Sequence, residues 1–312
     1  MTDAQKGHMT SIHRLAGMAC ALALMVSGCA SESGSATPTG GLSTESAVTS
    51  PAQGSVEKGQ SVSGAALAGH IHNLAYDGED LLIGTHEGLW SQKPGALPEQ
   101  RSQDPFDVMG LTLTDDQWFA SGHPGEGMDA PADLGLMASS DKGRTWKAVS
   151  LSGEVDFHRL SASDTAIVGV SAHDGRLLRS DDAGARWTDL GTPGLFDLAI
   201  NPLDTAVIVG TTEDGPVRSS DSGASFQPLA GAPLLVLLTW WGSTLYGVDV
   251  DGGIHQSTDN GTTWLPQGSL TGQATAIAAS GSKIAALVGD SIVESVDGGA
   301  SFVGRITEIA PH

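Results

Sequence analysis

The chain has 312 residues, with 15 Lys and Arg against 36 Asp and Glu, giving a formal net charge of −21. Such acidity excludes a nucleic-acid binder, because phosphate recognition needs a basic surface. With 39% hydrophobic residues, 5% aromatics and 42 glycines, the composition supports a large core interrupted by many turns. Both cysteines, Cys20 and Cys29, fall at the N-terminus. The rest of the chain therefore has no thiol for a disulfide framework, a Cys-zinc site or a cysteine nucleophile.

The first element in chain order is an export signal. Lys6 and Arg14 precede an apolar run from Leu15 to Val26 that is too short to cross a bilayer as a stable helix. Met9 is an alternative start, since residues 1–8 add nothing to the signal. The run ends in Val26-Ser27-Gly28-Cys29, which resembles a bacterial lipobox. That resemblance implies cleavage before Cys29 and a diacylglycerol on its thiol. From Ala30 to about Gly64 the chain is rich in Ser, Gly, Thr and Ala, the composition of a flexible tether. The expected organisation is a signal peptide at 1–28, a disordered tether at 29–66 and a folded domain at 67–312. The protein is expected at the extracytoplasmic face of the cell membrane, as a monomer held by the lipid on Cys29 and open to an extracytoplasmic protein partner.

The folded part repeats. Ser-x-Asp-x-Gly-x-x-Trp/Phe occurs five times, with its aspartates at Asp141, Asp182, Asp221, Asp259 and Asp297. Successive serines (Ser139, Ser180, Ser219, Ser257, Ser295) are 41, 39, 38 and 38 residues apart. A degenerate sixth copy, Ser91-Gln-Lys-Pro-Gly95, lacks both the Asp and the aromatic. It lies 48 residues before Ser139, the excess falling in a Pro/Gly-rich insertion, Gly122 to Gly135. A period near 40 in β-rich sequence predicts propeller blades of four strands each. Within the motif the carboxylate can accept hydrogen bonds from turn amides, the Gly supplies a positive φ, and the aromatic packs between strands.

These residues resemble the Asp-box (BNR) repeats of sialidases, sortilins and photosystem-assembly propellers. The strongest resemblance is to bacterial six-bladed Asp-box lipoproteins often labelled glycosyl hydrolases, and it covers about residues 67–308. It implies an all-β, six-bladed β-propeller with structural turns at the boxes, or seven blades if the N-terminal segment builds one. It implies nearly nothing about activity.

Aligned blade by blade, each repeat begins with an inner strand anchored by Leu74, Leu111, Leu160, Leu198, Leu238 and Ile277. Two residues before the anchor stand His72, Met109, His158, Phe196, Val236 and Thr275; four before stand His70, Asp107, Asp156, Gly194, Leu234 and Gln273. Period-2 geometry puts both members of each pair on one side of the strand. The second strands of the first three blades end at His86, His123 and His173. Antiparallel pairing brings these ends to the face where the inner strands begin, with the boxes on the opposite face. His70, His72, His86, His123, His158 and His173 should thus gather in one sector, with Met109.

Imidazole, carboxylate and thioether are transition-metal ligands, so copper or zinc is the expected cofactor, copper being preferred for the Met. Asp107 and Asp156 serve as ligands or as acceptors that fix histidine tautomers. Two other readings stand beside metal binding or handling: a protein-interaction or assembly scaffold, and a glycan-binding protein or glycoside hydrolase. Enzymatic activity is the less favoured. A sialidase needs an arginine cluster and a Tyr nucleophile, yet Arg144, Arg179, Arg186 and Arg218 adjoin the boxes, Tyr76 points away, and only Arg159 lies near the histidines. Glu87, Asp107, Asp156 and Asp174 could supply a glycosidase carboxylate pair. The long insertion beside His123 is expected to rim the site.

Overall fold

A computed structural model describes residues 61–67, 70–103 and 105–310. The expected leader at 1–28, Cys29 and the expected tether up to residue 60 lie outside the described residues.

Six antiparallel sheets succeed one another along the chain, each of four consecutive strands, and together they form a six-bladed β-propeller. The innermost strands are Ile71–Asp77, Asp107–Leu113, Phe157–Ala162, Asp197–Ile200, Leu235–Trp241 and Ala274–Ser280. They surround a central hollow of about 200 Å³. No helix occurs among the described residues. Hydrophobic clusters sit between neighbouring blades rather than in one central core. Phe119, Leu136 and Ala138 of the second blade meet Ile167 of the third, and Ala199 and Val209 of the fourth meet Leu235, Leu238 and Leu245 of the fifth. Each sheet therefore buries both faces, and the alternating strand pattern feeds two adjacent seams.

The Ser-x-Asp-x-Gly turns join third and fourth strands. At the first, Ser139 Oγ donates to Asp141 Oδ1 (2.8 Å) and accepts from the Gly143 amide (2.8 Å). Asp141 in turn accepts from the Thr145 amide (2.9 Å) and hydroxyl (2.6 Å). The same serine-to-aspartate bond recurs at Asp182, Asp221, Asp259 and Asp297. These bonds favour the ionised form and hold the carboxyls below the usual range, the side-chain donor four residues on contributing most. Gly143 has φ +77°, and a Cβ there would press on Leu89 and Trp118. In the degenerate first blade Gln92 pairs with Leu81 as Ser139 pairs with Trp118, so it stands in the serine's place, and it donates to the carbonyls of Lys93 (2.5 Å) and Ala96 (2.9 Å).

Ring closure was not legible in the sequence. Val62–Ser63 pairs in parallel with Val303–Thr307, adding a fifth strand to the outer edge of the last blade. The sequence places these two residues in the tether, but the isolated Val62 packs against a cluster shared by the first and last blades. Leu67 is fully buried there beside Tyr76, Leu81, Ile83, Ile306 and Ile309. A polar network bridges the same seam. Buried Arg305 donates from Nε to Gln92 Oε1 (2.6 Å) and from Nη2 to the carbonyls of Glu79 (3.0 Å) and Gln92 (3.1 Å), while Nη1 pairs with Glu294. Tyr76 Oη also donates to Glu294 (2.6 Å), and burial, then this bond, pushes its phenol well up.

Candidate functional site

The mouth of the ring is formed where inner strands begin and second strands end. In five of the six blades the pairing register shifts near the start of the inner strand, skipping His72, Met109, His158, Val236 and Thr275. Such a bulge leaves its extra residue unpaired and re-aims its side chain. Strict period-2 alternation, expected from the sequence, therefore breaks at the position that carries His72, Met109 and His158. His72, Met109, His158 and Thr275 all line a second hollow of about 540 Å³ at this mouth.

The structure sorts the histidines and aspartates into two triads rather than around one centre: His72, His86 and Asp107, then His123, Asp156 and His158. In each, three candidate donor atoms lie within 4.8 Å of one another. Each triad spans a blade seam: Asp107 of the second blade reaches His72 and His86 of the first, and Asp156 of the third reaches His123 of the second while also contacting His158 of its own blade. Asp107 lies with Oδ1 3.4 Å from His72 Nε2 and Oδ2 3.2 Å from His86 Nδ1. Asp156 Oδ2 is 3.4 Å from His123 Nε2 and 2.5 Å from His158 Nε2.

The first triad is short of hydrogen bonds. His72 Nε2 and Asp107 Oδ1 are both buried, and neither makes a hydrogen bond despite their 3.4 Å separation. Asp156, 1% exposed, likewise keeps Oδ1 without a hydrogen-bond partner. A buried carboxylate oxygen with no donor is costly, and a cation beside it removes that cost. Two ligands on one tetrahedral zinc ion stand about 3.3 Å apart, from metal–ligand distances of about 2.0–2.1 Å. Three of the four His–Asp separations, at 3.2–3.4 Å, have that spacing. In the second triad the His158–Asp156 contact is a direct hydrogen-bond distance and would have to lengthen by about 0.8 Å to share such an ion.

The other expected residues stand nearby in different roles. His70 stacks beside the first triad, its ring centroid 5.5 Å from that of His86 and 6.3 Å from that of His72. His173 pairs with Asp133 (3.0 Å), outside both triads. Asp133 belongs to the insertion, which does rim the mouth: His123 Nδ1 contacts the Ala132 carbonyl at 2.9 Å, leaving Nε2 toward Asp156. Neither Asp133 nor Ala132 was singled out by sequence; their position within the insertion was the available signal. Asn73, also missed, ties the first two blades together by donating to the carbonyls of Met109 (2.5 Å) and Val108 (3.3 Å). Asp197, 8% exposed, accepts from the Leu238 amide (2.8 Å) and lies 3.5 Å from Arg159 Nε. Burial pushes its carboxyl up, against the pull of Arg159.

No family model matches the sequence, and no curated protein matches it. Among solved structures, the chain is similar to one in a nidogen/laminin complex, at 14% identity over 70% of this chain and 89% of that one, with a TM-score of 0.54. It is also similar to the GH74 xyloglucanase of Xanthomonas campestris, at 16% identity over 78% of this chain and 46% of that one, with a TM-score of 0.52. A third similar structure is YCF48 bound to a D1 peptide, at 20% identity over 63% and 67% of the two chains and a TM-score of 0.44. At such identities the first two likenesses show the fold alone. The class that fold and neighbours define is the β-propeller.

Proposed function

We propose that this β-propeller binds zinc or copper ions at the two His-His-Asp triads of its mouth, as a lipid-anchored extracytoplasmic metal-binding or metal-handling protein. The observation that carries the reading is the facing of His72 Nε2 and Asp107 Oδ1, buried, 3.4 Å apart and not hydrogen-bonded to each other. Two imidazoles and a carboxylate suit Zn²⁺ or Cu²⁺, and three protein ligands leave a coordination position open. Met109, beside His72 and His158 in the mouth hollow, offers a softer donor that would favour copper. The lipid anchor is supported by Val26-Ser27-Gly28-Cys29 and the Ser/Gly-rich stretch after it.

Metal analysis of untagged protein tests the reading. The expected result is up to two ions per chain, one for each triad. Asp107→Asn should remove one and Asp156→Asn the other. Chelator-stripped wild type that takes up neither zinc nor copper overturns the proposal. A protein-interaction scaffold is the second reading, favoured by Phe196 (59% exposed), Leu234 (47%) and Val250 (43%) at the strand ends of the fourth and fifth blades on the same face. Capture of a membrane partner that survives in the Asp107→Asn/Asp156→Asn protein and is lost on Phe196→Ser would favour it.

A further inference from the structure

The mouth hollow of about 540 Å³ falls in the range of small-molecule sites and is lined by His72, Met109, His158, Arg159, Phe196 and Thr275. Arg159 is its only cationic side chain other than histidine. Its Nε donates to the Phe196 carbonyl (3.1 Å) and faces Asp197 at 3.5 Å. Those are its contacts among the described residues, so both Nη amino groups lack a protein acceptor. The side chain is thus fixed by one edge. Asp197 is itself buried and held by the Leu238 amide, which makes the strut rigid. Beside this guanidinium Phe196 is 59% exposed and lines the same hollow, an apolar face next to the cation.

We infer that the hollow is a ligand site for a small organic acid, with Arg159 Nη1 and Nη2 clamping its carboxylate and Phe196 covering its apolar body. The paired Nη donors match the two oxygens of a planar carboxylate. A doubly charged phosphate is disfavoured, because Asp107 and Asp156 stand behind His72 and His158 on the same mouth. The site does not require metal in the triads. Metal there would offset those two carboxylates and tighten the acid, and by reciprocity the acid would tighten the metal.

Calorimetric titration of chelator-stripped, full-length protein with phenylacetate, and with the neutral isostere phenylacetamide, tests the inference. Phenylacetate should bind, with phenylacetamide and the Arg159→Gln variant each weaker by about tenfold or more, the loss expected for a charge-assisted pair. Phe196→Ala, an exposed position that the fold tolerates, should weaken phenylacetate several-fold while keeping the acid-over-amide preference. Equal binding of acid and amide, unchanged affinity in Arg159→Gln, or no phenylacetate binding at millimolar concentration overturns the inference. Zinc uptake by the same Arg159→Gln protein reports on the triads separately, so the two proposals fail independently.

Discussion

Arg305→Met tests what closes the ring. The guanidinium satisfies the Glu294 carboxylate, the Gln92 side chain and two backbone carbonyls, and it lies 5.6 Å from the centre of the Tyr76 ring. Methionine keeps much of the volume but removes every donor. Glu294, with a side chain 18% exposed, is left with the Tyr76 hydroxyl and no counter-charge. Removing one partner of a buried pair costs about 3–5 kcal/mol, and the neutral acceptors lost with it overlap that figure, so about 4 kcal/mol is expected. Urea denaturation followed by tryptophan fluorescence should show a lower midpoint with an unchanged slope. Adding Glu294→Leu removes the stranded charge, so the double variant should be more stable than Arg305→Met alone. A loss below about 1 kcal/mol in the single variant, or a double variant whose losses simply add, would refute the claim that this charge network holds the seam.

Gly143→Ala should destabilise by about 2–4 kcal/mol in the same assay, combining a left-handed backbone with a Cβ pressed against Leu89 and Trp118. The turn aspartates set an acid limit. Asp182 and Asp297 have folded-state values of about 2 against an ordinary 3.8, with the donors from Arg186 and Ser301 foremost, so they stabilise the ring at neutral pH. That contribution declines as the pH falls below about 3.8 and is gone once it passes about 2. The thermal midpoint of Asp182→Asn/Asp297→Asn should therefore lie below wild type at pH 7 and converge on it near pH 2; a constant gap across that range would count against it.

The blade architecture was legible because the Ser-x-Asp-x-Gly-x-x-aromatic turn is local. The hydrogen bonds of the Ser139 and Asp141 side chains all connect residues within four positions, so the chemistry of the turn survives as a short pattern. The degenerate copy was legible as a spacing but not as chemistry, since nothing in the sequence marks Gln92, one residue past Ser91, as the side chain that ties this turn. The histidine sector was also legible, from the alignment of His72, His86, His123 and His158 relative to the anchors. Its division into two triads was not. That division depends on bulges at His72 and His158 and on each aspartate turning toward the preceding blade, both set by strand register and ring geometry. Val62–Ser63 was hidden for a related reason: two residues are too few to carry a strand pattern, and their partner lies more than 240 positions away at Ile306 and Thr307.

The way the chain enters the wheel has a mechanical consequence. Everything N-terminal to Val62, including Cys29, is joined to the disk at the rim of the last blade, through two paired residues and the Leu67 plug. Some 33 residues separate Cys29 from Val62, which at full extension would span at most about 120 Å. A force applied to the chain ahead of Val62 would peel the rim strand and strain the junction of last and first blades before any other. His72 and His86 belong to the first blade, whereas His123, Asp156 and His158 sit one and two blades further on. Pulling would thus loosen the triad of His72, His86 and Asp107 before that of His123, Asp156 and His158, so the two clusters would differ in how well they keep their geometry under load.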